Sequence, residues 1–301
     1  MSLFARGIVY SIASAVIFGF TPILTRIAYD EGANGITMTF LRAVFAIPVL
    51  APLLRLMGLS FRLTRTQVRD LFVAGGIGSA VTTLMLYISY SYIPVGLATT
   101  LHFIYPIAVS VGCVVFFGDK LTKSTLFALV SCSLGVLLFT GRATTGSTTG
   151  VILSLLSSVT FAVYVIYLDK TDLKKMHYVK LSFYLCLCFI VVSGAYGLAT
   201  RTLTFGLSAK AWFYALLVSF FTSILALLLL QVGIRLVGGT TAAILSTFEP
   251  ITGVVLGVVV LGEELSTPKA IGCACILAGV LAITLSKPSR EAGRKCETKA
   301  E

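Results

Sequence analysis

Two segments of the chain decide its fold, because one repeats the other. Residues 98–140 read ATTLHFIYPIAVSVGCVVFFGDKLTKSTLFALVSCSLGVLLFT, and residues 242–284 read AAILSTFEPITGVVLGVVVLGEELSTPKAIGCACILAGVLAIT. At a shift of 144 residues, 13 of the 43 positions are identical without a gap. Each segment contains a central proline, Pro106 or Pro250, and a short turn, GDKL (118–121) or GEEL (262–265). The chain is therefore expected to consist of two similar halves.

The composition places these halves in a membrane. Of the 301 residues, 57% are hydrophobic and 12% are charged, and the mean hydropathy is +0.99. A soluble domain has about 25% charged residues, so this chain has too few to cover a surface that faces water. The composition argues against a soluble enzyme, a nucleic-acid-binding protein and a disordered chain. The net charge of +11 is instead typical of basic loops beside anionic lipid.

Apolar runs of about 20 residues predict transmembrane helices, since that length crosses a hydrocarbon core of roughly 30 Å. The chain contains ten such runs, joined by short connections, and these continuous runs do not alternate as barrel strands do. The predicted fold is an all-α polytopic membrane protein with spans at 7–29, 34–56, 67–91, 96–117, 123–141, 149–168, 178–200, 210–234, 240–262 and 268–286.

Lysine and arginine positions predict the orientation. With the N-terminus in the cytoplasm, 17 of these residues fall on the cytoplasmic side and 4 outside, while Arg26 and Arg42 lie within spans. The positive-inside rule then places both termini in the cytoplasm. We expect a multi-pass protein of the plasma membrane, the inner membrane in a bacterium.

Five spans in each half imply opposite orientations of the two halves. Besides the first match, residues 7–18 align with 150–161 at a shift of 143, with five of twelve positions identical. An inverted repeat of this kind is typical of secondary transporters that work by alternating access. We expect a first five-helix repeat at 1–145, a second at 146–286 and a basic cytoplasmic tail at 287–301.

These features resemble the EamA-type transporters of the drug/metabolite transporter superfamily, over nearly the whole chain. The resemblance rests on the central prolines, the GDKL and GEEL turns, the late Gly135-Val136 and Gly279-Val280 pairs, and Leu41-Arg42 and Glu249-Pro250. It implies a ten-helix carrier of a metabolite such as an amino acid, a nucleotide precursor or a drug, and it favours export. Lys120, His102 and Tyr105 depart from the family pattern.

Ionisable residues within spans are the first candidates for a substrate site, since a charge in lipid is costly. Glu249 lies roughly 13 Å into the ninth span at 1.5 Å per residue, near the midplane. It is a candidate cation or proton site or a structural carboxylate. Arg42 is too deep to reach the interface easily. It either pairs with Glu249 or binds an anionic group of the substrate, and the sequence leaves both interpretations open.

The fourth span offers the repeat equivalents of the ninth. Tyr105 aligns with Glu249, and His102 lies one helical turn earlier on the same face. His102 is a candidate proton-coupling residue together with Glu249, or a helix-to-helix hydrogen bond. Tyr105 is a substrate-binding candidate or a core residue. Pro106 and Pro250 are expected to break their helices.

The remaining polar side chains are weaker candidates for the substrate site. Tyr164 and Gln231 are candidates for lining the substrate cavity. Arg26 beside Asp30 is interpreted as reaching back to the interface. Tyr87, Tyr90 and Tyr92 are interpreted as an aromatic belt at the interface.

No cofactor, metal or nucleic acid is expected as a partner. The C-x-C pairs at 186/188 and 273/275 have no neighbouring histidine or carboxylate, and no phosphate-binding glycine loop appears. Transport would use the gradient of the substrate itself, of H⁺ or of Na⁺. The predicted function is the movement of a small polar or amphipathic, amino-acid-like metabolite. The alternatives are a membrane sensor or scaffold without transport and a membrane enzyme that modifies lipid.

Overall fold

The computed structural model describes residues 2–93, 95–138, 147–261 and 266–285. Within these ranges every regular element is helical, and we number the long helices α1 to α10 in chain order. Their bounds are α1 (Leu3–Asp30), α2 (Gly35–Leu56), α3 (Arg65–Ser89), α4a (Val95–His102), α4b (Tyr105–Phe117), α5 (Lys123–Leu137), α6 (Thr148–Lys170), α7 (Tyr178–Ala199), α8 (Ala209–Val237), α9a (Gly239–Leu245), α9b (Phe248–Leu261) and α10 (Thr267–Leu285).

The helices follow the predicted apolar runs closely. In the described part of the chain, nine helices are long and apolar enough to cross a membrane. Helix α5 is apolar but shorter, and its predicted run continues past residue 138, where the described segment ends. The expectation of an all-helical, multi-pass membrane protein is confirmed, whereas the count of ten spans stays a prediction. The GEEL turn (262–265) and the tail (287–301) lie outside the described residues.

Polar side chains mark where several helices begin. Asn34 accepts a hydrogen bond from the Thr37 amide at 2.8 Å, and Thr122 accepts one from the Thr125 amide at 3.1 Å. At the start of α3, the Thr64 and Gln67 side chains and backbones bond reciprocally. Each cap satisfies an amide that would otherwise lack a partner in the first turn.

Helices α4 and α9 are interrupted at equivalent places. The first break covers Phe103 and Ile104, and the second covers Ser246 and Thr247. Pro106 follows the first break after one intervening residue, and Pro250 follows the second after two. Proline has no N–H and its ring crowds the preceding turn, so the backbone cannot continue a regular ladder through it. The amides within both breaks remain hydrogen-bonded, and those of Ile104 and Thr247 donate to carbonyl oxygens three residues earlier, at Leu101 and Ile244.

Helices α3 and α8 each contain a widened stretch of π-helix. The stretches are Phe72–Val81 in α3 and Ser219–Ala226 in α8. A shift of 144 residues makes them overlap, so the two halves share this irregularity as well. π-segments inside α-helices often occur at functional sites.

The helices pack in pairs that correspond between the halves. Helix α1 packs against α8 and α9, and its equivalent α6 packs against α3 and α4. The pairs α2 with α7 and α5 with α10 each join a helix to its own equivalent. This is the pattern of two related halves arranged about a pseudo-twofold axis, and it brings the breaks of α4 and α9 together.

Candidate substrate site at the helix breaks

The two broken helices meet at their breaks. Helix α9a packs against α4b, and the Tyr105 hydroxyl interacts with Ser246 in the opposite break. The Tyr105 ring is 2% exposed and lies 4.7 Å from the Phe161 ring, edge to face. The structure therefore places Tyr105 in an aromatic cluster at the first break, where its hydroxyl interacts with the second break.

Glu249 lies in the first turn of α9b and is half-buried. Helix α1 packs closely against the Glu249 backbone at Gly19, where an added Cβ would lie 2.4 Å from the Glu249 carbonyl oxygen. In the described residues, the Glu249 carboxyl has neither a hydrogen-bond partner nor an ion-pair partner. It lies close enough to interact electrostatically with Tyr105 and Tyr90. A carboxylate with free acceptor capacity beside a helix break can receive a cation, a proton or an ammonium group.

His102 closes α4a and is also half-buried. Its Nδ1 lies 2.9 Å from the Ser157 Oγ of α6. The ring centroids of Tyr105 and Phe161 lie 5.5 Å and 5.4 Å away. Within the described ranges, Nε2 has no hydrogen-bond partner. His102 and Glu249 thus offer two unused polar groups at the two breaks.

Arg42 and Glu249 form no ion pair in the structure. The Arg42 guanidinium instead stacks over the Phe189 ring, 5.0 Å from its centroid, and interacts electrostatically with Tyr29. A cation over an aromatic face is favourable, and more so away from water. The interpretation of Arg42 and Glu249 as a structural pair is not what this structure shows, so both charges are free for other partners.

Tyr164 and Gln231 lie in the packed core rather than on a cavity wall. Both are 1% exposed, at the interfaces of α6, α7 and α8. The Gln231 Nε2 donates to the Ser182 Oγ at 2.8 Å. The Tyr164 hydroxyl and the Gln231 Oε1 have no hydrogen-bond partner in the described part of the chain. The expectation that they line an open cavity is therefore not met in this conformation.

A cavity of about 570 Å³ opens at the predicted outer face, and we call it the outer cavity. Its walls are Tyr29, Ala33, Asn34, Gly35, Ile36, Tyr87, Ile88, Tyr90, Ser91, Tyr92, Tyr196 and Thr202. The volume suits a small organic molecule. Arg42 and Glu249 are not among these wall residues, but Arg42 interacts electrostatically with Tyr29 and Glu249 with Tyr90.

Five tyrosines of the outer cavity were not predicted as site residues. Tyr87, Tyr90 and Tyr92 are interpreted from the sequence as an interfacial belt, but the structure places all three on the cavity wall. The end of α1 and the end of α7 supply Tyr29 and Tyr196. The sequence feature that could have indicated this cavity is the occurrence of Tyr87, Tyr90 and Tyr92 within six residues. Arg26 is exposed near the end of α1, as its interfacial interpretation requires.

Charged residues join the helices at the predicted inner face. The Lys170 Nζ lies 2.6 Å from Asp119 Oδ2 and 3.8 Å from Asp169 Oδ2, while the Lys174 Nζ lies 2.6 Å from Asp169 Oδ1. We call these four residues the inner charge cluster. They connect the GDKL turn to the end of α6. Ion pairs therefore join the helices at this end of the bundle, where Asp169, Lys170 and Lys174 also line a second cavity of about 500 Å³.

The described ranges contain no group of three or more histidine, cysteine or acidic side chains placed to hold a metal ion. The free Glu249 carboxyl alone supplies too few ligands.

The fold defines a multi-pass helical membrane protein with two related halves. The sequence matches the EamA-like transporter family over residues 5–141 and again over residues 148–285. The chain belongs to this family, and it is a membrane transporter. The resemblance seen in the sequence is confirmed.

Two further comparisons agree with this assignment. A relative in Archaeoglobus fulgidus, named an uncharacterized transporter, is 28% identical over 276 residues, covering 90% of this chain and 93% of the relative. A protein known from a crystal structure superposes with a TM-score of 0.80 at 15% identity, over 93% of this chain and 96% of that chain. At this identity the likeness shows the fold alone.

Proposed function

We propose that the chain is a secondary-active or facilitative carrier of the plasma membrane that works by alternating access. It has ten transmembrane helices in two inverted repeats, 1–145 and 146–286, with both termini and the basic tail in the cytoplasm. The matched helix pairs and equivalent breaks support this arrangement. Two repeats with the same fold can exchange conformations about a site that lies between them.

One observation supports a substrate site more than any other. Glu249 and His102 are half-buried at the two helix breaks, and in the described residues the carboxyl and Nε2 have no protein partner. Polar groups within a membrane protein normally have partners, since an unsatisfied group in an apolar setting is costly. Groups left unused at the centre of a carrier are explained if the cargo supplies their partner.

The cargo is a small polar or amphipathic metabolite, and an amino-acid-like zwitterion fits the charges. Arg42 and Glu249 are not paired with each other, and each interacts electrostatically with a different tyrosine of the outer cavity. A molecule with a carboxylate and an ammonium group would satisfy both. The tyrosine hydroxyls and rings of the cavity would accept its polar and apolar parts. Export is the direction favoured by the family resemblance.

Glu249 and His102 are the proposed proton-coupling residues. Each has an open acceptor position, and each lies at a break where cargo and proton would compete for the same group. H⁺ is therefore the coupling ion that the site favours over Na⁺, which would need several oxygen ligands together.

Flux into proteoliposomes tests this function. Labelled amino acids and organic cations are offered with and without an imposed pH gradient, for the unchanged chain, for Glu249→Gln and for Asp30→Asn. Asp30 is an exposed carboxyl at the end of α1 and serves as the matched control. We expect saturable flux that follows the gradient, lost in Glu249→Gln and retained in Asp30→Asn. Flux unchanged in Glu249→Gln would contradict proton coupling, and cargo binding without any flux would favour a sensor.

A further inference from the structure

The pairing of Ser157 with His102 determines which nitrogen of the imidazole carries its proton. The Ser157 Oγ lies 2.6 Å from the Ser154 carbonyl oxygen and 2.9 Å from the His102 Nδ1. A hydroxyl has one proton to donate, and a carbonyl oxygen can only accept. The Ser157 hydroxyl therefore donates its proton to the Ser154 carbonyl oxygen. The Ser157 Oγ must then accept a hydrogen bond from the Nδ1–H of His102.

We propose that Ser157 is a positioning residue that holds His102 in the Nδ1-protonated tautomer, so that Nε2 is a hydrogen-bond acceptor for the cargo. The inference rests on the proposed function, since it names which group of the same site meets the cargo. In a neutral imidazole one nitrogen donates and the other accepts, and the partner of the first decides the role of the second. The cargo must then present an N–H or O–H donor at this point, such as an ammonium or hydroxyl group.

The surroundings of the ring leave Nε2 to the cargo. Aromatic rings enclose His102, with Phe103 at 6.0 Å in addition to Tyr105 and Phe161. No acid or base contacts the ring in the described residues, so no neighbouring charge competes with Ser157. His102 is only half-buried, and Nε2 has no protein partner there.

The turn of α6 that contains Ser154 and Ser157 is held in place by α3. The Thr82 hydroxyl lies 3.4 Å from the Ser157 carbonyl oxygen, and the Ser154 Oγ donates to Ser89 Oγ at 3.0 Å. These contacts fix the first half of α6 against α3. Ser157 is thereby presented to His102 from a rigid support, as a positioning group requires.

The first half of the chain shows that this pairing is not a requirement of the fold. The repeat equivalent of Ser157 is Ser14, whose Oγ donates to the Ala226 carbonyl oxygen at 2.8 Å. The equivalent of His102 is Ser246, so no imidazole is present there. The same backbone arrangement is built without the histidine, which supports a role for the Ser157–His102 pair in the site.

Nitrogen NMR of histidine-labelled protein in nanodiscs tests the tautomer directly. The chain has two histidines, His102 and His177, so His177→Asn leaves a single labelled ring to observe. Asparagine is a good helix cap and preserves the start of α7. We expect a protonated Nδ1 and an unprotonated Nε2. In Ser157→Ala this preference is lost, and in Ser157→Thr the hydroxyl restores it. A protonated Nε2 in the unchanged site, or the same spectrum in Ser157→Ala, would overturn the proposal.

A transport comparison tests the role of the acceptor. His102→Asn keeps an amide near the Nδ1 position but has no acceptor at the Nε2 position, while His102→Gln reaches that position. We expect the KM for cargo to rise about ten-fold in His102→Asn and in Ser157→Ala, and to rise less in His102→Gln and Ser157→Thr. Equal KM values in all four variants would overturn the acceptor role. If no cargo moves in the unchanged protein, the carrier function fails, whereas the tautomer is still decided by the spectra.

Discussion

Ser131 in α5 donates a hydrogen bond from its Oγ to the carbonyl oxygen of Cys275 in α10, at 2.6 Å, and Cys275 is the residue 144 positions later. The next residue does the same, since the Cys132 Sγ lies 3.7 Å from the carbonyl oxygen of Ile276. Each residue thus contacts its own repeat equivalent. Such self-equivalent contacts occur on the pseudo-twofold axis, which therefore runs between α5 and α10.

The close contact of α5 and α10 predicts the effect of a small substitution. An added Cβ at Gly135 would lie 2.6 Å from the carbonyl oxygen of Gly272, and this backbone atom cannot move aside alone. We expect Gly135→Ala to destabilise the protein by about 1–3 kcal/mol, the usual cost of overpacking. Thermal unfolding of the purified protein in detergent measures this as a lower Tm.

Gly253→Ala is the matched control for that substitution. Gly253 is also helical, but an added Cβ there has no atom within 4 Å. Alanine is the better helix former by about 1 kcal/mol, so we expect an unchanged or slightly higher Tm. Equal losses of stability in the two variants would contradict the packing explanation.

The inner charge cluster predicts local opening when Lys170 is removed. Lys170 is the residue that bridges Asp119 to the end of α6, and its side chain is 21% exposed. In Lys170→Ala we expect hydrogen exchange at residues 118–122 and 169–175 to accelerate on the order of ten-fold. Loss of a partly buried ion pair costs about 1–2 kcal/mol, between the surface and buried cases.

Lys175→Ala provides the comparison, because Lys175 pairs with Asp172 within the short 3₁₀ helix Asp172–Lys175 that follows α6. Those side chains are 75% and 52% exposed, and surface pairs contribute little. The adjacent ammonium holds the pKa of Asp172 below its usual value, so the pair persists at neutral pH. Exchange that accelerates equally in both variants would show that the cluster does not hold this face closed.

The outer cavity predicts a binding defect for a tyrosine substitution. Tyr90 lines the cavity and interacts with Glu249, so Tyr90→Ala removes both a wall and a neighbour of the carboxyl. We expect the KM for cargo offered from the cavity side to rise about ten-fold, with a smaller change in maximal flux. Tyr10→Ala, near the other end of α1, should leave the KM unchanged. A rise in both variants would point to a general packing defect.

His177 predicts a pH dependence of stability. Its Nδ1 accepts a hydrogen bond from the Val179 amide at 3.3 Å and so caps α7. Burial, followed by the nearby Arg235 guanidinium, lowers the pKa of His177 from its usual value near 6.5. The neutral ring is thus favoured in the folded state. This contribution to stability is fully present above pH 6.5 and is lost as the pH falls toward the lower folded-state pKa.

Tm measured between pH 5 and pH 8 checks this prediction. We expect the Tm of the unchanged protein to fall on acidification more than that of His177→Asn, which caps α7 without titrating. Parallel curves for the two proteins would exclude His177 as the source of the acid sensitivity. His102 is present in both proteins, so its titration does not affect the difference.

Much of the fold could be predicted from local features of the sequence. Apolar runs gave helix positions because length and hydropathy alone decide what can cross a bilayer. The breaks in α4 and α9 could be anticipated because Pro106 and Pro250 remove backbone donors wherever they occur. The π-segments of α3 and α8 could not, because no residue type specifies an extra backbone residue per turn.

The site was predictable only in part, since periodicity does not say which helix faces meet. Glu249, His102 and Tyr105 became candidates because polar chemistry and repeat position coincide at them, and the structure places all three at the helix breaks. Tyr164 and Gln231 looked like cavity residues, but neighbouring helices cover them completely. The partner of Arg42 could not be inferred from its depth in the membrane. Its guanidinium stacks over the Phe189 ring, which lies 147 residues away in sequence.

The two breaks have the same backbone form but different side chains, with His102 and Tyr105 in one and Ser246 and Glu249 in the other. In the proposed carrier, the interchange of the halves and the recognition of cargo would then depend on separate sets of residues. The prolines and matched helix pairs proposed to support the interchange are duplicated. The side chains proposed to contact the cargo occur once each. A change of cargo would thus require substitutions at a few unduplicated positions, whereas the prolines and the matched helix pairs can stay unchanged.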